Sequence, residues 1–250
     1  MSAVRYDLIG AGYAHTRRED PDLLQLIHDA LGDARTVVNV GAGAGAYEPR
    51  DRHVTAIEPS DVMAAQRPPE SAPAIRATAG RLPLRDDAVD AAMAMLTVHH
   101  WDHEQRDGIC ELRRVARDQV VILTFDPKIS SQMWLLADYL PEIAALDRKI
   151  FPRIDQITDW LGGQATVQTV PITRNTPDWT LGSFWAHPDR VLDPKARNAT
   201  SGFARMSAEV VQRAVREVDR DLRNGAWDRR YGHLRQLDTY DAGLRLITTT

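Results

Sequence analysis

Features that define several specialised protein classes are absent from this sequence or nearly so. It holds one cysteine, Cys110, among 250 residues, which excludes an intrachain disulfide and a cysteine-based zinc cluster. Cys110 lies in a helical pattern and is expected to be a buried small hydrophobe. No run of about 18 apolar residues occurs, so no segment is expected to span a bilayer. The first residues contain one arginine, a short apolar run and an early Asp7, which is not typical of a secretory signal. The expected location is therefore cytoplasmic.

A surplus of charge of one sign is also missing. Lysine and arginine together number 31 and aspartate and glutamate 35, which gives a net charge of −4. Proteins dedicated to nucleic-acid binding usually carry a basic surplus. Hydrophobic residues make up 43% and charged residues 26% of the chain, values typical of a globular protein. The composition thus favours a globular protein that does not bind nucleic acid.

What the sequence does contain is an alternation of strand and helix patterns. Short apolar, β-branched runs occur at residues 36–40, 53–57, 74–77, 88–96, 120–125, 166–172 and 244–249. Helical patterns lie at residues 21–31, 104–116, 132–145, 154–161 and 207–223. Such alternation predicts an α/β fold, a Rossmann-like, doubly wound and mostly parallel sheet of seven strands with helices on both faces.

The first strand pattern leads directly into a glycine loop with Gly41, Gly43 and Gly45. Glycines allow the backbone to approach a ligand closely, and the amino end of a following helix offers free N–H groups to an anionic group. Glu58 ends the second strand pattern, where an acid can accept hydrogen bonds from both hydroxyls of a ribose. Together they predict a nucleoside-binding site.

The spacing of this loop leaves the type of nucleotide open. Gly41-x-Gly43-x-x-Ala46 also satisfies the fingerprint of dinucleotide-binding enzymes. Pro49 weakens that interpretation, because it shortens the helix that a dinucleotide fold requires after the loop. An NAD(P)-dependent oxidoreductase is nevertheless one alternative.

Four blocks in a fixed order resemble a known family. They are Asn39-Val-Gly41-Ala-Gly43-Ala-Gly45, Ala56-Ile57-Glu58-Pro59-Ser60, the loop from Thr78 to Asp90, and Met95-Leu96-Thr97-Val98-His99-His100-Trp101. In this order they resemble the motifs of class I S-adenosylmethionine-dependent methyltransferases, in particular the branch that acts on small molecules. The blocks lie between residues 36 and 126. Asn39 departs from the family, which usually has an acid there to help position the methionine ammonium group.

The resemblance implies that S-adenosylmethionine is the cofactor and S-adenosylhomocysteine the product. It implies contacts to the methionine part from Gly41, Gly43 and Gly45, to the ribose from Glu58, to the adenine from Ala79 and Gly80, and near the methyl group from Leu96. The amino-terminal residues Tyr13 and Arg17 resemble the lid of related enzymes, where they would contact the cofactor and pair with its carboxylate. Alternatively they are a packing tyrosine and a surface arginine.

His99 and His100 follow the fourth strand pattern, at the edge where such sheets bind ligands. A histidine with an ordinary pKa of about 6.5 could deprotonate a phenol, an indole or an enol. Either residue is therefore a candidate catalytic base. The alternative is that the His-His-Trp sequence caps the next helix and packs.

Four further residues are candidates for binding the acceptor, namely Trp101, Asp126, Trp134 and Trp185. The alternatives are a turn residue for Asp126 and ordinary core positions for the tryptophans. No His, Asp or Glu cluster has metal-ligand spacing, so no metal is expected. The Asn/Asp-Pro-Pro-Tyr block of nucleic-acid and protein amino-methyltransferases is missing after the fourth strand, which favours a small-molecule acceptor, such as a bacterial natural product, methylated on O, N or C.

The 250 residues are expected to form one domain. Residues 1–34 would form lid helices, 35–128 the cofactor-binding core, 129–164 and 177–235 the segments that cover the acceptor, and 165–172 and 242–250 the completion of the sheet. The oligomeric state is not predicted. Because Asn39 replaces the usual acid and no base is obvious, a non-catalytic cofactor-binding subunit is a second alternative.

Overall fold

A computed structural model describes residues 18–198 and 200–249. The centre of the structure is a seven-stranded sheet with the order β3-β2-β1-β4-β5-β9-β6. The strands are β1 Thr36–Val40, β2 His53–Ile57, β3 Ala74–Ile75, β4 Val89–Met95, β5 Ala116–Phe125, β6 Ala165–Thr169 and β9 Leu244–Thr249; β7 Ile172–Thr173 and β8 Thr239–Tyr240 pair separately. The first five strands are parallel, and β9 runs antiparallel to β5 and β6. The predicted Rossmann-like, mostly parallel sheet of seven strands is confirmed.

Helices and turns connect and cover these strands. The α-helices are α1 Pro21–Ala30, α2 Asp61–Ala64, α3 Gln105–Val115, α4 Pro127–Ser130, α5 Pro141–Ile150, α6 Ile154–Trp160, α7 Pro194–Asn198, α8 Ser201–Ala204, α9 Ala208–Arg223 and α10 Ala226–Tyr231. Single-turn 3₁₀ segments lie at Val98–His100, Asp102–Glu104, Leu181–Ala186, Pro188–Val191 and Gly232–Gln236, and a π-helical turn at Leu135–Tyr139. Local sequence sets several of the starts: Asp20 caps α1 ahead of Pro21, and Ser207 caps α9.

Both faces of the sheet are buried because alternate strand residues point to opposite sides. In β1, Val37 belongs to the core that packs against α1 and α9, whereas Val38 belongs to the core that packs against α3 and α6. Met93 and Ala92 divide in the same way in β4. The sheet is therefore rigid, and its edge can hold a site.

Prolines account for three local departures from the predicted elements. Residues 41–52, all of them described, form turns with no helix, so the expected helix after the glycine loop, in which Pro49 would lie, is wrong. The predicted helix at 132–145 is divided into a π-helical turn and α5, which Pro141 begins. The single strand expected at 166–172 is divided at Pro171 into β6 and β7. Proline donates no hydrogen bond and clashes with a continuing helix.

Among the described residues, no helix is long and apolar enough to cross a membrane. Tyr13, Arg17 and most of the expected lid at residues 1–34 lie outside the described residues.

The order of the strands determines where a ligand can bind. The chain proceeds outward from β1 to β3 and then returns to the other side of β1 with β4. Between β1 and β4 the connections diverge, which opens a crevice at the carboxyl ends of these two strands. The glycine loop after β1 and the residues after β4 lie at this crevice.

Candidate active site

Two neighbouring cavities lie at the carboxyl edge of the sheet. The first, which we term the strand-edge cavity, is lined by residues at the ends of β1, β2 and β4, among them Asn39, Gly41, Glu58 and Ala79. The second, which we term the Asp147 cavity, is bounded by α5 and by residues around α8. Leu96 and His100 line both, so the two cavities meet at these residues.

The glycine loop forms one wall of the strand-edge cavity. Gly41 has a φ of +71°, and a Cβ there would lie 2.1 Å from Thr97 Oγ1. The N–H groups of Gly41 and Ala42 donate to the carbonyl of Ile57 at 2.9 and 3.0 Å, which fixes the loop to the end of β2. Only glycine fits at position 41, because a side chain would be both strained and in contact with β4's extension.

Glu58 forms the floor opposite this loop. Its carboxylate is 6% exposed and accepts hydrogen bonds from the N–H of Gly43 and of Ser60, each at 2.8 Å and each on a different oxygen. Burial raises the pKa of Glu58, and the two backbone hydrogen bonds and Arg67 oppose that rise. Each carboxylate oxygen keeps a second lone pair, so the group can accept two further hydrogen bonds from a ligand.

Asn39 presents an unsatisfied acceptor to the same cavity. Its side chain is 1% exposed, and its Nδ2 donates to Glu48 Oε1 at 2.9 Å. The other oxygen of Glu48 accepts from Arg67 at 2.6 Å. No described residue donates to Asn39 Oδ1. A buried acceptor without a partner is costly, and at a cavity wall it indicates a donor on a ligand.

Leu96 separates the two cavities in a strained conformation. Its φ is +54°, which is rare for a residue with a branched side chain, and its N–H donates to the carbonyl of Leu123 at 2.8 Å. Strain of this kind is found where the surrounding structure holds a functional residue in position.

The Asp147 cavity is largely apolar. Its apolar lining includes Phe125, Met133, Leu136, Ile150, Phe151 and Leu181. Four ionisable side chains, His99, His100, Asp147 and Arg205, interrupt this lining. Burial raises the pKa of Asp147 to about 7, opposed by Arg205 and Arg148.

The two histidines predicted as bases differ in their surroundings. His99 is 8% exposed and stacks on Phe151 with ring centroids 4.1 Å apart. His100 accepts a hydrogen bond at Nδ1 from Arg205 at 2.8 Å. Because an arginine only donates, the neutral ring of His100 carries its proton on Nε2. Burial and Arg205 lower the pKa of His100 to about 3.

Several predicted site residues lie elsewhere. Trp134 and Trp185 are buried in the core, where Trp134 Nε1 donates to the carbonyl of Trp185 at 2.9 Å, and neither lines one of the two cavities. Asp126 caps α4 by accepting from the N–H of Lys128. Trp101 lines the strand-edge cavity instead of the Asp147 cavity.

The remaining glycines and Cys110 have other surroundings than expected. Gly45 lies against the Arg67 and Glu48 side chains, and Gly80 lies against Glu104, so neither forms the cavity wall. Cys110, expected to be a buried small hydrophobe, is exposed, because the buried face of α3 is formed by its neighbours such as Ile109 and Leu112.

Sequence reasoning missed Thr97, Asp147 and Arg205. Asp147 had a detectable signal, because it lies four residues after Ile143 and three before Ile150, on the apolar side of α5. Arg205 follows a short helix in a loop-rich segment, and nothing in its neighbourhood distinguishes it from a surface arginine. Within residues 18–198 and 200–249, no group of three or more His, Cys, Asp or Glu side chains could hold a metal ion.

Comparisons with known proteins agree with this geometry. The family model described as "Methyltransferase domain" matches residues 38–124, which run from β1 to β5. No protein with curated annotation matches the sequence significantly.

Solved structures extend the likeness beyond this segment. A proposed methyltransferase from an antibiotic biosynthesis pathway of Anabaena variabilis is 29% identical, with a TM-score of 0.86 over 94% of this chain and 99% of that one. The geranyl diphosphate C-methyltransferase of Streptomyces coelicolor shares the fold, at 14% identity and a TM-score of 0.51 over 91% of this chain and 77% of that one. A phosphoethanolamine N-methyltransferase of Haemonchus contortus does so at 11% identity and a TM-score of 0.56, over 98% of this chain and 55% of that one.

The ordered motifs, the sheet that places them at one edge, the matched domain and the structural likeness of nearly the whole chain lead to one assignment. Residues 38–124 form a methyltransferase domain, and the chain has the fold of the S-adenosylmethionine-dependent class I methyltransferases.

Proposed function

We propose that the chain transfers a methyl group to a small, mostly apolar acceptor, a natural product of the kind made in antibiotic biosynthesis. The observation that carries this proposal is the junction of the two cavities at Leu96 and His100. One cavity has the polar groups that a nucleoside cofactor requires, and the other has an apolar lining suited to the acceptor. The antibiotic pathway of the Anabaena relative supports the class of acceptor.

The strand-edge cavity fits S-adenosylmethionine. Glu58 keeps two lone pairs for the ribose hydroxyls, and the unsatisfied Oδ1 of Asn39 suits the methionine ammonium group. Glu48, hydrogen-bonded behind Asn39, adds negative charge close to that position. Gly41 and Gly43 keep the loop free of side chains, and Ala79 would lie by the adenine. When bound, the cofactor supplies a methyl carbon on a positively charged sulfur that leaves with the bonding electrons.

The chain's own residues then position the acceptor and exclude water. Because positive charge is dispersed during methyl transfer, alignment of the acceptor contributes more than strong electrostatic stabilisation does. The apolar side chains of the Asp147 cavity exclude water, and His100, held by Arg205, lies at the junction of the two cavities, where its ring orients the acceptor. We propose this positioning role for His100 in place of the predicted base, because its Nδ1 is already hydrogen-bonded to Arg205.

Residues 129–164 and 177–235, which the sequence predicts as the cover of the acceptor site, contribute Asp147 and Arg205 to the cavity. We propose that they select the acceptor. The net charge of −4 supports a small molecule over a nucleic acid as the partner.

Calorimetry with S-adenosylhomocysteine, S-adenosylmethionine and NAD(P) tests the proposed cofactor. The two sulfur nucleosides are expected to bind, and at ~100 times Kd each should add ~2.7 kcal/mol to the free energy of unfolding. Binding of NAD(P) alone would contradict the proposal and favour an oxidoreductase. Cofactor binding without turnover of a broad set of acceptors would favour a non-catalytic subunit.

A further inference from the structure

Two ionisable side chains of the Asp147 cavity have no role in the function described so far. Asp147 enters the wall from α5, and Arg205 enters it from the residues after α8. The charged groups around Asp147 are Arg148 on its own helix and Arg205, and the titratable rings of His99 and His100 line the same cavity. Burying charged groups in an apolar cavity lowers the stability of the fold, so their presence there indicates a functional role.

Arg205 holds this cluster together. One Nη donates to His100 Nδ1 at 2.8 Å, and the guanidinium has several further N–H groups. Arg205 and Asp147 attract each other across the cavity, yet no direct ion pair within 4.0 Å joins these two described residues. A polar group of an acceptor could therefore lie between a carboxylate and a guanidinium, close to the junction with the strand-edge cavity.

The signs of these charges discriminate between acceptors. An amine gains or keeps positive charge when it is methylated, and the repulsion of that charge by Arg205 offsets its attraction to Asp147. A carboxylic acid is already ionised near neutral pH and needs no base. A weakly acidic hydroxyl, by contrast, needs a carboxylate to take its proton, and the developing negative charge on its oxygen is stabilised by the guanidinium.

We infer that Asp147 is the base of the reaction, that Arg205 stabilises the oxygen, and that the acceptor is an apolar phenol or enol methylated on oxygen. This inference rests on the proposed function. The O–H bond would break, with its proton going to a carboxylate oxygen of Asp147, and the electron pair left on the oxygen would form the new O–CH3 bond. The S–CH3 bond of the cofactor would break in the same transfer, and its electrons would stay on the sulfur of S-adenosylhomocysteine.

The ionisation of Asp147 agrees with this role. Burial raises its pKa to about 7, so that at neutral pH a large share of the molecules carry the carboxylate while the group remains a competent proton acceptor. A carboxyl with an ordinary pKa would be ionised but a weaker base.

Binding of three matched probes to the complex with S-adenosylhomocysteine tests the inference without turnover. The probes are 4-ethylphenol, 4-ethylanisole and 4-ethylaniline, and calorimetry gives their affinities. We expect the phenol to bind at least about tenfold more tightly than the ether and the amine, because the ether has no donor for Asp147 and the aniline nitrogen is a poor acceptor for Arg205, whereas the phenol provides both. Equal affinities, or preference for the amine, overturn the inference whatever the variants do.

Three variants test which residues cause the preference for the phenol. Asp147→Asn and Arg205→Gln are expected to abolish it while S-adenosylhomocysteine binds within about twofold of the wild type. Glu142→Gln is the control, since Glu142 lies on the same helix but pairs with Arg213 on the outside. If the preference for the phenol persists in both Asp147→Asn and Arg205→Gln, these two side chains do not bind the hydroxyl group and the inference is wrong.

Turnover then separates a base from a binding residue. With any phenol or enol that is methylated, Asp147→Asn should lower kcat by about 100-fold or more with KM changed less than about threefold. The rise of kcat with pH through about 7 should disappear in that variant. A wild-type kcat and pH profile in Asp147→Asn would remove the base role. If the wild type does not bind S-adenosylhomocysteine, the proposed function itself is wrong.

Discussion

The two cavities that meet at Leu96 are built in different ways. The strand-edge cavity is made from segments that follow β1, β2 and β4 directly, and its polar groups are fixed by hydrogen bonds to nearby backbone. The Asp147 cavity gathers side chains from the residues after β4, the end of β5, α4, α5 and the segment around α8, which are distant along the chain. The first can therefore hold a constant ligand, whereas the second can change by substitution of single side chains without disturbing the sheet.

This difference explains why one chain region carries the matched family domain and another does not. Residues 38–124 contain most of the strand-edge cavity and none of α5 or α8. The constraints on the first region are those of backbone geometry, and only a few residue types satisfy them. The second region must supply a shape and a few charges, and many sequences can do so.

The largest expected effect concerns the aromatic residues of the covering segments. Trp185 is fully buried, so Trp185→Ala should lower the free energy of unfolding by about 3–5 kcal/mol in denaturant titrations. Its affinity for S-adenosylhomocysteine should be unchanged at temperatures where the variant is folded. Trp179→Ala is the control, because Trp179 is half-buried under the Arg190 guanidinium and should cost less. If Trp185→Ala leaves the free energy of unfolding unchanged, Trp185 is not a core residue and is again a candidate for binding the acceptor.

The next effect tests the claim that backbone geometry builds the strand-edge cavity. Gly41→Ala places a methyl group 2.1 Å from Thr97 Oγ1 at a φ of +71°. We expect calorimetry to show an affinity for S-adenosylhomocysteine reduced by about 100-fold, or ~2.7 kcal/mol, because the loop must move.

Gly163→Ala is the matched control for this variant. Gly163 has a similar φ of +77°, but a Cβ there meets nothing within 4 Å. It should show the cost of the backbone conformation alone, ~1 kcal/mol of stability, and no loss of affinity. Equal losses of affinity in both variants would mean that the contact with Thr97 is irrelevant.

Glu58→Gln should have a smaller effect than Gly41→Ala. The amide removes the charge and one acceptor oxygen, and we expect a loss of about 1.5–2.5 kcal/mol in affinity for S-adenosylhomocysteine. Asp90→Asn is the control, since Asp90 also accepts two backbone N–H groups, from Arg35 and Thr36, at the other end of the sheet. If Asp90→Asn weakened cofactor binding as much as Glu58→Gln, the ribose assignment would be wrong.

The parts of the molecule that could be predicted follow the same division. The strands, their order of appearance and the position of Gly41 and Glu58 beside one cavity are local consequences of β-branched runs, glycines and a strand-end acid. Even in this region a proline can prevent an expected element, since no helix forms after the glycine loop, where Pro49 lies. Trp134 and Trp185 could not be assigned, because an aromatic residue in a covering segment suits a core and a cavity equally well.

Asp147 and Arg205 show a different limit. They meet only because α5 and the residues after α8 pack over the same strand ends, and 58 positions of chain separate them. No local pattern encodes such a contact. The position of Asp147 on the apolar side of α5 is a signal for Asp147 only, and it does not identify Arg205 as its neighbour.

The last expected effect is a difference in the pH dependence of stability within the Asp147 cavity. The pKa of Asp147 is raised from 3.8 to about 7 in the folded chain, so its stabilising contribution is complete below pH 3.8 and is lost as the pH rises to about 7. The pKa of His100 is lowered from 6.5 to about 3, so its contribution is complete above pH 6.5 and is lost as the pH falls to about 3. Urea titrations between pH 4 and 8 should therefore show that wild-type stability falls with rising pH relative to Asp147→Asn, and rises with pH relative to His100→Gln. Because the two slopes have opposite signs, a general effect of net charge cannot produce both, and parallel curves for wild type and both variants would contradict the burial of this cluster.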